Sequence, residues 1–540
     1  MAPFVAAPTP PAWRWPLVYA VAATLLVTFA FIVRLHADLV WDDVYLVAQN
    51  PLVHDPHGLW PLVTRDLWGA ATGNATQLYH PVPMATVWLQ ARVSTEPAFY
   101  RALNVLLHVG CGALLLVWTT RRLGWPGWLG APVSLVFLLH PSVTEVVEWI
   151  TGRHDSLGVL GVLGALLLWP TDATRGAARM ARALGASLLV LAAFLSKEPY
   201  VVAPVLLVLV HAHGRLTAGR AVVTRASWLL ALPFAAVALG FVLRAALHVP
   251  SSSDQLHAGL TTHARSYATI VAHYALQLAT FGDGRTTESW APLSLWASLG
   301  VLTLCTLALG LLARGARRGS QDAAAALLGC AWLGVALAPH VVSLPLIGMF
   351  GNRYAYLPLV GFCIALGAGA RYVASVLAAR APRLVVPAVA AAGVGLVLLA
   401  LQTAADAALW RDAVTLFGAD VAAAPDDPRS LYHLAHAIGV QSGCRDALPL
   451  YERAVAADPG YERAWHNLTG CLIDERRWPE AVAAGRRALQ LAPDDARDEY
   501  NLGVALLASG QPDGLSHLRR ASQLDPGYAP AREALAHAPR

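Results

Sequence analysis

The sequence predicts an all-α protein in two parts, a multispan membrane part followed by a short solenoid of helical repeats. The 540 residues are 56% hydrophobic and only 14% charged, whereas soluble proteins carry about a quarter charged residues. Apolar runs of about 20 residues, the length that crosses a bilayer, recur through residues 1–400. From Asp406 onward the charges return and a repeat of about 34 residues begins. We therefore predict domains at 1–403 and 404–540.

Hydropathy predicts about eleven transmembrane helices. They fall near residues 16–36, 99–120, 125–140, 156–170, 182–196, 199–213, 226–248, 291–313, 322–342, 354–370 and 384–402. Alternate connections are rich in arginine, as the positive-inside rule expects of cytoplasmic loops. With a cytoplasmic N-terminus, an odd number of spans puts the second domain outside the cytoplasm. The Ala-, Arg- and Gly-rich composition is typical of a bacterium, so we predict an inner-membrane protein whose second domain lies in the periplasm.

Charge and cysteine usage argue against a nucleic-acid partner and a metal site, and they leave a possible disulfide open. The net charge of +5 does not indicate nucleic acid, because the basic residues lie in short clusters between apolar runs. No CxxC motif or His/Cys cluster has metal-ligand spacing, so no metal site is predicted. Cys444 and Cys471 lie in the second domain, which this topology places in an oxidising compartment. The sequence leaves open whether they form a disulfide.

The second domain repeats with a period of 34 residues, with one interval of 33. The recurring positions are Leu434, Leu468 and Leu502; Ala454, Ala488 and Ala521; and Pro459, Pro493 and Pro526. Small residues in a second helix and a closing proline at this period are typical of tetratricopeptide repeats (TPRs). Such an array is either a structural spacer or a concave surface that binds peptides.

The first outer loop, residues 37–98, begins with paired carboxylates, Asp42 and Asp43, directly after the first span. A carboxylate held partly away from water has a raised pKa and can act as a general base. The alternative is an ordinary helix cap or surface acid pair.

The other outer loops carry a dense set of ionisable residues. The loop near residue 150 contains His140, Glu145, Arg153, His154 and Asp155, and later loops add Lys197, Glu198 and Arg353. Ionisable groups at a membrane boundary are functional candidates by default. One such cation alone is more often an interface anchor. Three of them, Arg153, Lys197 and Arg353, on the same face as two acidic clusters indicate a phosphate or pyrophosphate site.

Taken in order, these motifs resemble the transmembrane and tetratricopeptide-repeat O-mannosyltransferase family. The residues that carry the resemblance are Trp41-Asp42-Asp43 with Asn50, Asp66 with Trp68-Gly69, Tyr79 with Pro81, Asn104 through His108, His140-Pro141 with Thr144-Glu145, Gly152-Arg153 with Asp155, Ser196-Lys197-Glu198, and Arg353 with Tyr356-Leu357-Pro358. The resemblance covers most of residues 37–370 and the repeat domain. It implies a multispan fold of the C-type glycosyltransferases.

The resemblance implies an enzyme that uses a polyprenyl-phosphate sugar, mannose or a similar hexose, on the outer side of the membrane. Asp42 or Asp43 would deprotonate the acceptor hydroxyl, and we favour Asp42. Lys197, Arg153 and Arg353 would stabilise the leaving lipid phosphate. We expect His140, Glu145 and Asp155 to orient sugar hydroxyls or the cations, and Glu198 and His80 to contact the substrate. The expected mechanism is inverting, with no metal and no cofactor beyond the donor.

The chain departs from the family pattern in two motifs. His80 stands where the family has Arg, and His154 where it has Ala; the repeat array is also shorter than in animal members. These departures leave the base motif intact and bear on the acceptor and the sugar. A glycosyltransferase acting on a lipid or surface polysaccharide, and a non-enzymatic TPR scaffold for envelope assembly, are the alternatives.

Overall fold

A computed structural model describes residues 14–31, 35–68, 78–249, 259–282 and 286–537. The described chain is almost wholly helical, as the sequence predicts, with two strands of two residues each, Glu288–Ser289 and Met349–Phe350. It divides into two compact units. The first comprises Met1–Gly284 and Trp290–Asp412, and the second comprises Arg285–Ser289 and Ala413–Arg540.

The first unit is a bundle of long apolar helices joined by short ones. Its α-helices are Arg14–Phe31, Pro51–His54, Leu59–Thr64, Pro81–Ala91, Pro97–Arg122, Gly127–Leu139, Thr144–Glu148, Arg153–Leu168, Gly176–Phe194, Ala203–Thr217, Ala231–Ala246, Leu260–Ala279, Leu295–Arg317, Gln321–Leu337, His340–Ile347, Tyr356–Arg380 and Val385–Leu409. Short 3₁₀ helices at Pro141–Val143, Ile150–Gly152, Glu198–Val202, Ser227–Leu230, Asn352–Ala355 and Pro382–Leu384 lead into several of them, and Val44–Ala48 is a π-helical turn.

Several of these helices have the length and composition to cross a membrane. Each of the eleven predicted segments coincides with a helix. Within the described ranges seven helices meet both criteria, or eight if one bent pair counts as a single span. Arg153–Leu168 has 16 residues, about 24 Å of helix at 1.5 Å per residue, which is short of a ~30 Å hydrocarbon layer. The count of eleven spans stays a prediction.

The bent pair places the loop near residue 150 beside the first outer loop. Gly127–Leu139 and Pro141–Glu148 meet at 56°. The residue before a proline is disfavoured in the α region, and His140 is extended, with φ −72° and ψ 129°. Its Nδ1 accepts a hydrogen bond from the Ser142 N–H (3.2 Å). The chain therefore turns at His140 and starts a new short helix.

Small residues bring the central helices together. A side-chain Cβ at Gly329 would lie 2.5 Å from the Gly361 carbonyl oxygen, so only glycine allows Gln321–Leu337 and Tyr356–Arg380 to pack this closely. The buried Trp332 indole beside them donates a hydrogen bond to the Leu357 carbonyl (3.0 Å). This packing fixes the start of Tyr356–Arg380, which directly follows the 3₁₀ helix that contains Arg353.

The second unit is a solenoid of antiparallel helix pairs. Its helices are Ala413–Ala423, Pro428–Ser442, Cys444–Ala457, Glu462–Asp474, Trp478–Leu491, Ala496–Ala508, Gly514–Leu524 and Ala529–His537. The repeated alanines 454, 488 and 521 are fully buried between helices, as expected for small positions in such repeats. Cys444 and Cys471 form a disulfide across two of the helix pairs, which answers the question that the sequence leaves open.

A short segment from far upstream belongs to the second unit. The buried Asp420 carboxylate accepts hydrogen bonds from the Thr286 N–H (3.0 Å) and the Thr287 N–H (3.0 Å), and both threonine hydroxyls also donate to it. Burial raises the pKa of Asp420, and these hydrogen bonds lower it in part. The carboxylate thus fixes residues 286 and 287 to helix Ala413–Ala423.

Candidate active site

The two adjacent aspartates of the first outer loop have different surroundings. Asp43 is fully buried and accepts hydrogen bonds from the backbone N–H groups of Ile150 (2.8 Å) and Thr151 (2.9 Å). Burial raises the pKa of Asp43 to about 7, although the two N–H groups and the nearby Arg101 lower it. Asp42 is only partly buried and lies on the wall of a large cavity. Asp43 therefore holds the loop in place, and Asp42 is the aspartate that lines the cavity.

Buried polar side chains join the first outer loop to residues 147–151. Asn104 donates to the carbonyl oxygens of Val147, Trp149 and Ile150. Arg101 donates to the carbonyl oxygens of Glu148 and of Leu35, Ala37 and Asp38.

Trp41 adopts a positive φ of 57°, a strained backbone conformation for a bulky residue. Its ring stacks on Trp149 at 5.5 Å. Asp42 is thus held by a rigid neighbourhood.

The cavity in the first unit has a volume of about 500 Å³. The polar residues that line it include Asp42, His80, His154, Asp155, Lys197, Glu198, Arg244 and Arg353. The apolar lining residues include Leu46, Leu67, Leu78, Phe194, Val201, Phe241, Val342 and Ile347. The cavity is large enough for a small organic ligand, and its mixed lining suits a molecule with both charged and apolar groups.

Lys197 and Arg353 line the cavity, and each contacts an acid. The Lys197 Nζ lies 2.6 Å from Asp155 Oδ2 and 5.2 Å from the centre of the Tyr354 ring. Arg353 forms an ion pair with the fully buried Glu145, which also accepts from the Arg353 backbone N–H (2.9 Å). These acids fix the two cations in position, since a paired side chain has little freedom to rotate.

Aromatic rings complete the surroundings of Arg353. Its guanidinium carbon lies 5.4 Å from the centres of both the Trp41 and the Trp149 rings and 4.6 Å from that of Tyr354. Contacts at this distance stabilise a cation. The guanidinium is therefore held beside the backbone that carries Asp42.

A third cation, Arg244, belongs to the same cavity and was missed by the sequence analysis. Its Nη1 lies 3.5 Å from Glu198 Oε1. Glu198 also accepts from the Tyr79 N–H (3.1 Å), and its Oε2 lies 2.6 Å from His80 Nε2. One feature of the sequence could have indicated Arg244: it is an arginine inside the otherwise apolar helix Ala231–Ala246. A charge in such a helix faces a polar site or another protein group.

The two histidines that depart from the family pattern lie together on the cavity wall. The rings of His80 and His154 are 4.7 Å apart, edge to face. His80 Nδ1 and His154 Nε2 are buried and have no hydrogen-bond partner among the described residues. Buried polar atoms are normally hydrogen-bonded, so these two unsatisfied nitrogens are an unusual feature of the cavity wall.

Two predicted substrate contacts lie elsewhere. Arg153 is fully buried, and its guanidinium donates to Thr86 Oγ1, Gln90 Oε1 and the carbonyl oxygens of Tyr100 and Ile150. The imidazole of His140 is also buried, with Nε2 3.1 Å from the Leu278 carbonyl. Neither residue lines the cavity that the described residues form. Protein groups already take up the hydrogen-bonding atoms of Arg153 and His140 in this structure, and direct contact of either residue with a substrate stays a prediction. Glu145 acts on the cavity only through Arg353.

Comparison with known protein families identifies the repeats in one part of the chain. A tetratricopeptide-repeat family model matches residues 445–497. The second unit contains TPRs.

The curated relatives that the chain resembles are named protein O-mannosyl-transferases. One from Caenorhabditis elegans is 30% identical over 140 residues, which is 25% of this chain and 20% of that protein. Human TMTC1 is 30% identical over 146 residues, or 26% of this chain and 17% of that protein. Human TMTC3 is 28% identical over 145 residues, or 26% of this chain and 16% of that protein. The similarity therefore spans about a quarter of this chain and a fifth or less of each relative.

The similarity of this chain to solved structures is weak. The MamA fragment from Desulfovibrio magneticus RS-1 is 21% identical and covers 23% of this chain and 70% of that chain, with a TM-score of 0.22. A TM-score this low supports no conclusion about the fold.

Proposed function

We propose that the protein is a membrane glycosyltransferase that transfers a hexose from a polyprenyl-phosphate donor to a hydroxyl group of an extracytoplasmic protein. The observation that carries the proposal is that Asp42, Lys197, Arg244 and Arg353 line one cavity together with many apolar side chains. A carboxylate beside fixed cations suits an attacking hydroxyl and a departing phosphate. The names of the partial relatives support the same reaction class.

In the proposed reaction, the acceptor hydroxyl oxygen forms a bond to the anomeric carbon as the bond from that carbon to the phosphate oxygen breaks. The hydroxyl proton passes to the Asp42 carboxylate, and the lipid phosphate leaves with both electrons of the broken bond. A single displacement of this kind inverts the anomeric centre. Lys197, Arg244 and Arg353 stabilise the charge that develops on the leaving oxygen. The reaction as proposed needs no metal.

The cations are held in place before the substrate binds. Lys197 is paired with Asp155, and Arg353 with Glu145. Electrostatic groups that are already oriented stabilise a transition state without the cost of reorganising during the reaction. The apolar side chains around Phe194 and Phe241 accommodate the first part of the polyprenyl chain.

We propose that the enzyme lies in a bacterial inner membrane with the cavity on the outer side and the TPR unit in the periplasm, where it binds the acceptor protein. The acceptor assignment has a rival, a lipid or surface polysaccharide. A TPR scaffold without activity is less consistent with a cavity that holds three carboxylates and three cations.

The direct test uses purified protein, radiolabelled polyprenyl-phosphate hexose and peptides rich in Ser and Thr. Transfer by the parent and its loss in Asp42→Asn support the proposal. If Asp42→Asn transfers sugar at the parent's rate, the assignment of Asp42 as the base is wrong. In cells, mass spectrometry of a deletion strain separates the acceptors: loss of hexose from Ser or Thr peptides indicates protein, and an altered glycolipid profile indicates the alternative.

A further inference from the structure

A second cluster of ionisable side chains lies between two neighbouring helix pairs of the TPR unit. His466 belongs to helix Glu462–Asp474, Asp495 caps helix Ala496–Ala508, and Asp498 lies in the first turn of that helix. His466 Nδ1 is 2.5 Å from Asp498 Oδ1. One nitrogen or oxygen from each of the three residues lies within 4.8 Å of the other two. Metal–ligand bonds of this kind measure about 2.0–2.2 Å, so binding one ion requires the more distant ligand atoms to move together and the His466–Asp498 contact to open.

One oxygen of this cluster has no partner among the described residues. Asp498 is fully buried, and its Oδ2 accepts no hydrogen bond. A buried carboxylate oxygen without a partner is costly, about 1–3 kcal/mol or more for a charged group. The two oxygens of a carboxylate share one carbon, so this oxygen lies beside the Oδ1 that contacts His466. The structure thus contains an unused acceptor next to an imidazole.

The cluster also carries an excess of negative charge. Glu462, four residues before His466 on the same helix, interacts electrostatically with Asp495, Asp498 and His466. The opposing cations that interact with Glu462 are Arg463 and Arg497. Arg497 Nη2 lies 3.1 Å from Asp495 Oδ2. Three carboxylates and two arginines leave a net negative site in which a cation is favoured.

We propose that His466, Asp495 and Asp498 bind a divalent transition-metal ion, of the kind represented by Zn²⁺ and Mn²⁺. An imidazole nitrogen with carboxylate oxygens suits these ions, whereas Mg²⁺ and Ca²⁺ prefer oxygen ligands alone. Since the ligands come from two successive helix pairs, the ion joins adjacent repeats of a short array. No local sequence motif indicates this site, because His466 and Asp498 are 32 residues apart.

The next helix pair provides a matched control. His517 Nδ1 lies 2.7 Å from Glu499 Oε2, so this histidine also contacts a carboxylate of a neighbouring helix. It has no cluster of three ligand residues around it within the described chain. If the His466–Asp498 contact is only an ion pair like that of His517, then replacing His466 or His517 leaves metal binding unchanged.

The experiment measures binding of Mn²⁺ and of Zn²⁺ to untagged full-length protein in detergent after treatment with a chelator. The variants are His466→Gln, Asp495→Asn and the control His517→Gln. Asp495→Asn removes a charged ligand and keeps the helix cap, because Asn and Asp cap equally well. Electron paramagnetic resonance counts bound Mn²⁺, elemental analysis counts Zn²⁺, and circular dichroism without metal confirms that each variant is folded.

We expect one equivalent of metal in the parent and in His517→Gln, with a metal-dependent rise in their melting temperatures. In His466→Gln and Asp495→Asn we expect the affinity to fall by about tenfold or more, since even residues that only support metal ligands have effects of this size. The proposal is overturned if the parent binds no metal. It is also overturned if folded Asp495→Asn and His466→Gln bind as the parent does.

Discussion

Replacing Asp42 by asparagine separates the proposed chemistry from the stability of the fold. The substitution keeps the size of the side chain and removes its ability to accept a proton. Asp42 is partly exposed on the cavity wall, and substitutions at such positions usually change the free energy of unfolding by no more than about 0.5 kcal/mol. The variant is therefore expected to fold and melt as the parent does.

The expected effect on turnover is large. A positioned general base contributes about 10²- to 10⁴-fold to a rate, which corresponds to about 3–5 kcal/mol of activation free energy. Donor binding is expected to be unchanged or tighter, because the substitution removes a negative charge from a cavity whose cations Lys197, Arg244 and Arg353 would bind the donor phosphate. The structure thus predicts a low kcat with an unweakened donor Kd.

The assay compares initial transfer rates at saturating donor with the affinity for the donor measured by calorimetry. Asp55→Asn is the matched control, since Asp55 is an exposed acid of the same loop that accepts from the His57 N–H and lies outside the cavity lining. An Asp42→Asn rate within a few-fold of the parent refutes the assignment of the base. An equal loss of rate in both variants indicates a general effect on the loop, which also refutes it.

Three further predictions follow from other parts of the structure. Burial raises the pKa of Asp43 to about 7, so the folded protein holds this proton more tightly than the unfolded chain does; the stabilisation is complete below about pH 4 and is lost as the pH rises through about 7. The melting temperature of the parent relative to Asp43→Asn should therefore fall between about pH 4 and about pH 7 and level off above that, and a difference independent of pH contradicts this. Arg244→Gln should weaken binding of the lipid-phosphate donor by about tenfold, the effect of losing one charge-assisted contact, in a calorimetric titration in which an unchanged Kd excludes Arg244 from the phosphate site. Reduction of the Cys444–Cys471 disulfide, or Cys444→Ser, should destabilise the TPR unit by about 2–4 kcal/mol; thermal unfolding with and without reductant measures this, and a melting curve unaffected by reductant contradicts it.

Hydropathy located the long helices because a chain that crosses lipid must satisfy its backbone hydrogen bonds internally. It did not find Leu260–Ala279, a 20-residue helix of the first unit. That helix carries His263, Arg265 and His273 among its apolar residues. These polar residues interrupt the apolar ones, so hydropathy shows no long apolar run there. Its packing partners, rather than its own composition, explain why it lies in the bundle: Tyr274 is buried and donates to the Gly351 carbonyl (3.0 Å).

The motifs identified the neighbourhood of the candidate site better than the role of each residue. Arg153 and Asp155 are two residues apart on a helix, about 200° around its axis, so they face opposite sides. Asp155 faces the cavity and Arg153 faces the protein interior. The sequence does not reveal which one faces the cavity, because that depends on how the helix is rotated in the bundle.

The attachment of Thr286 and Thr287 to Asp420 has a practical consequence for anyone who clones the repeats. A gene fragment that starts at Ala413 encodes all the repeat helices but omits the two threonines that donate hydrogen bonds to the buried Asp420 carboxylate. Such a fragment would contain a buried, unsatisfied acid, and its melting behaviour would not represent the natural unit. A faithful recombinant version needs residues 286–289 fused in front of it, through a linker long enough to let them reach their place.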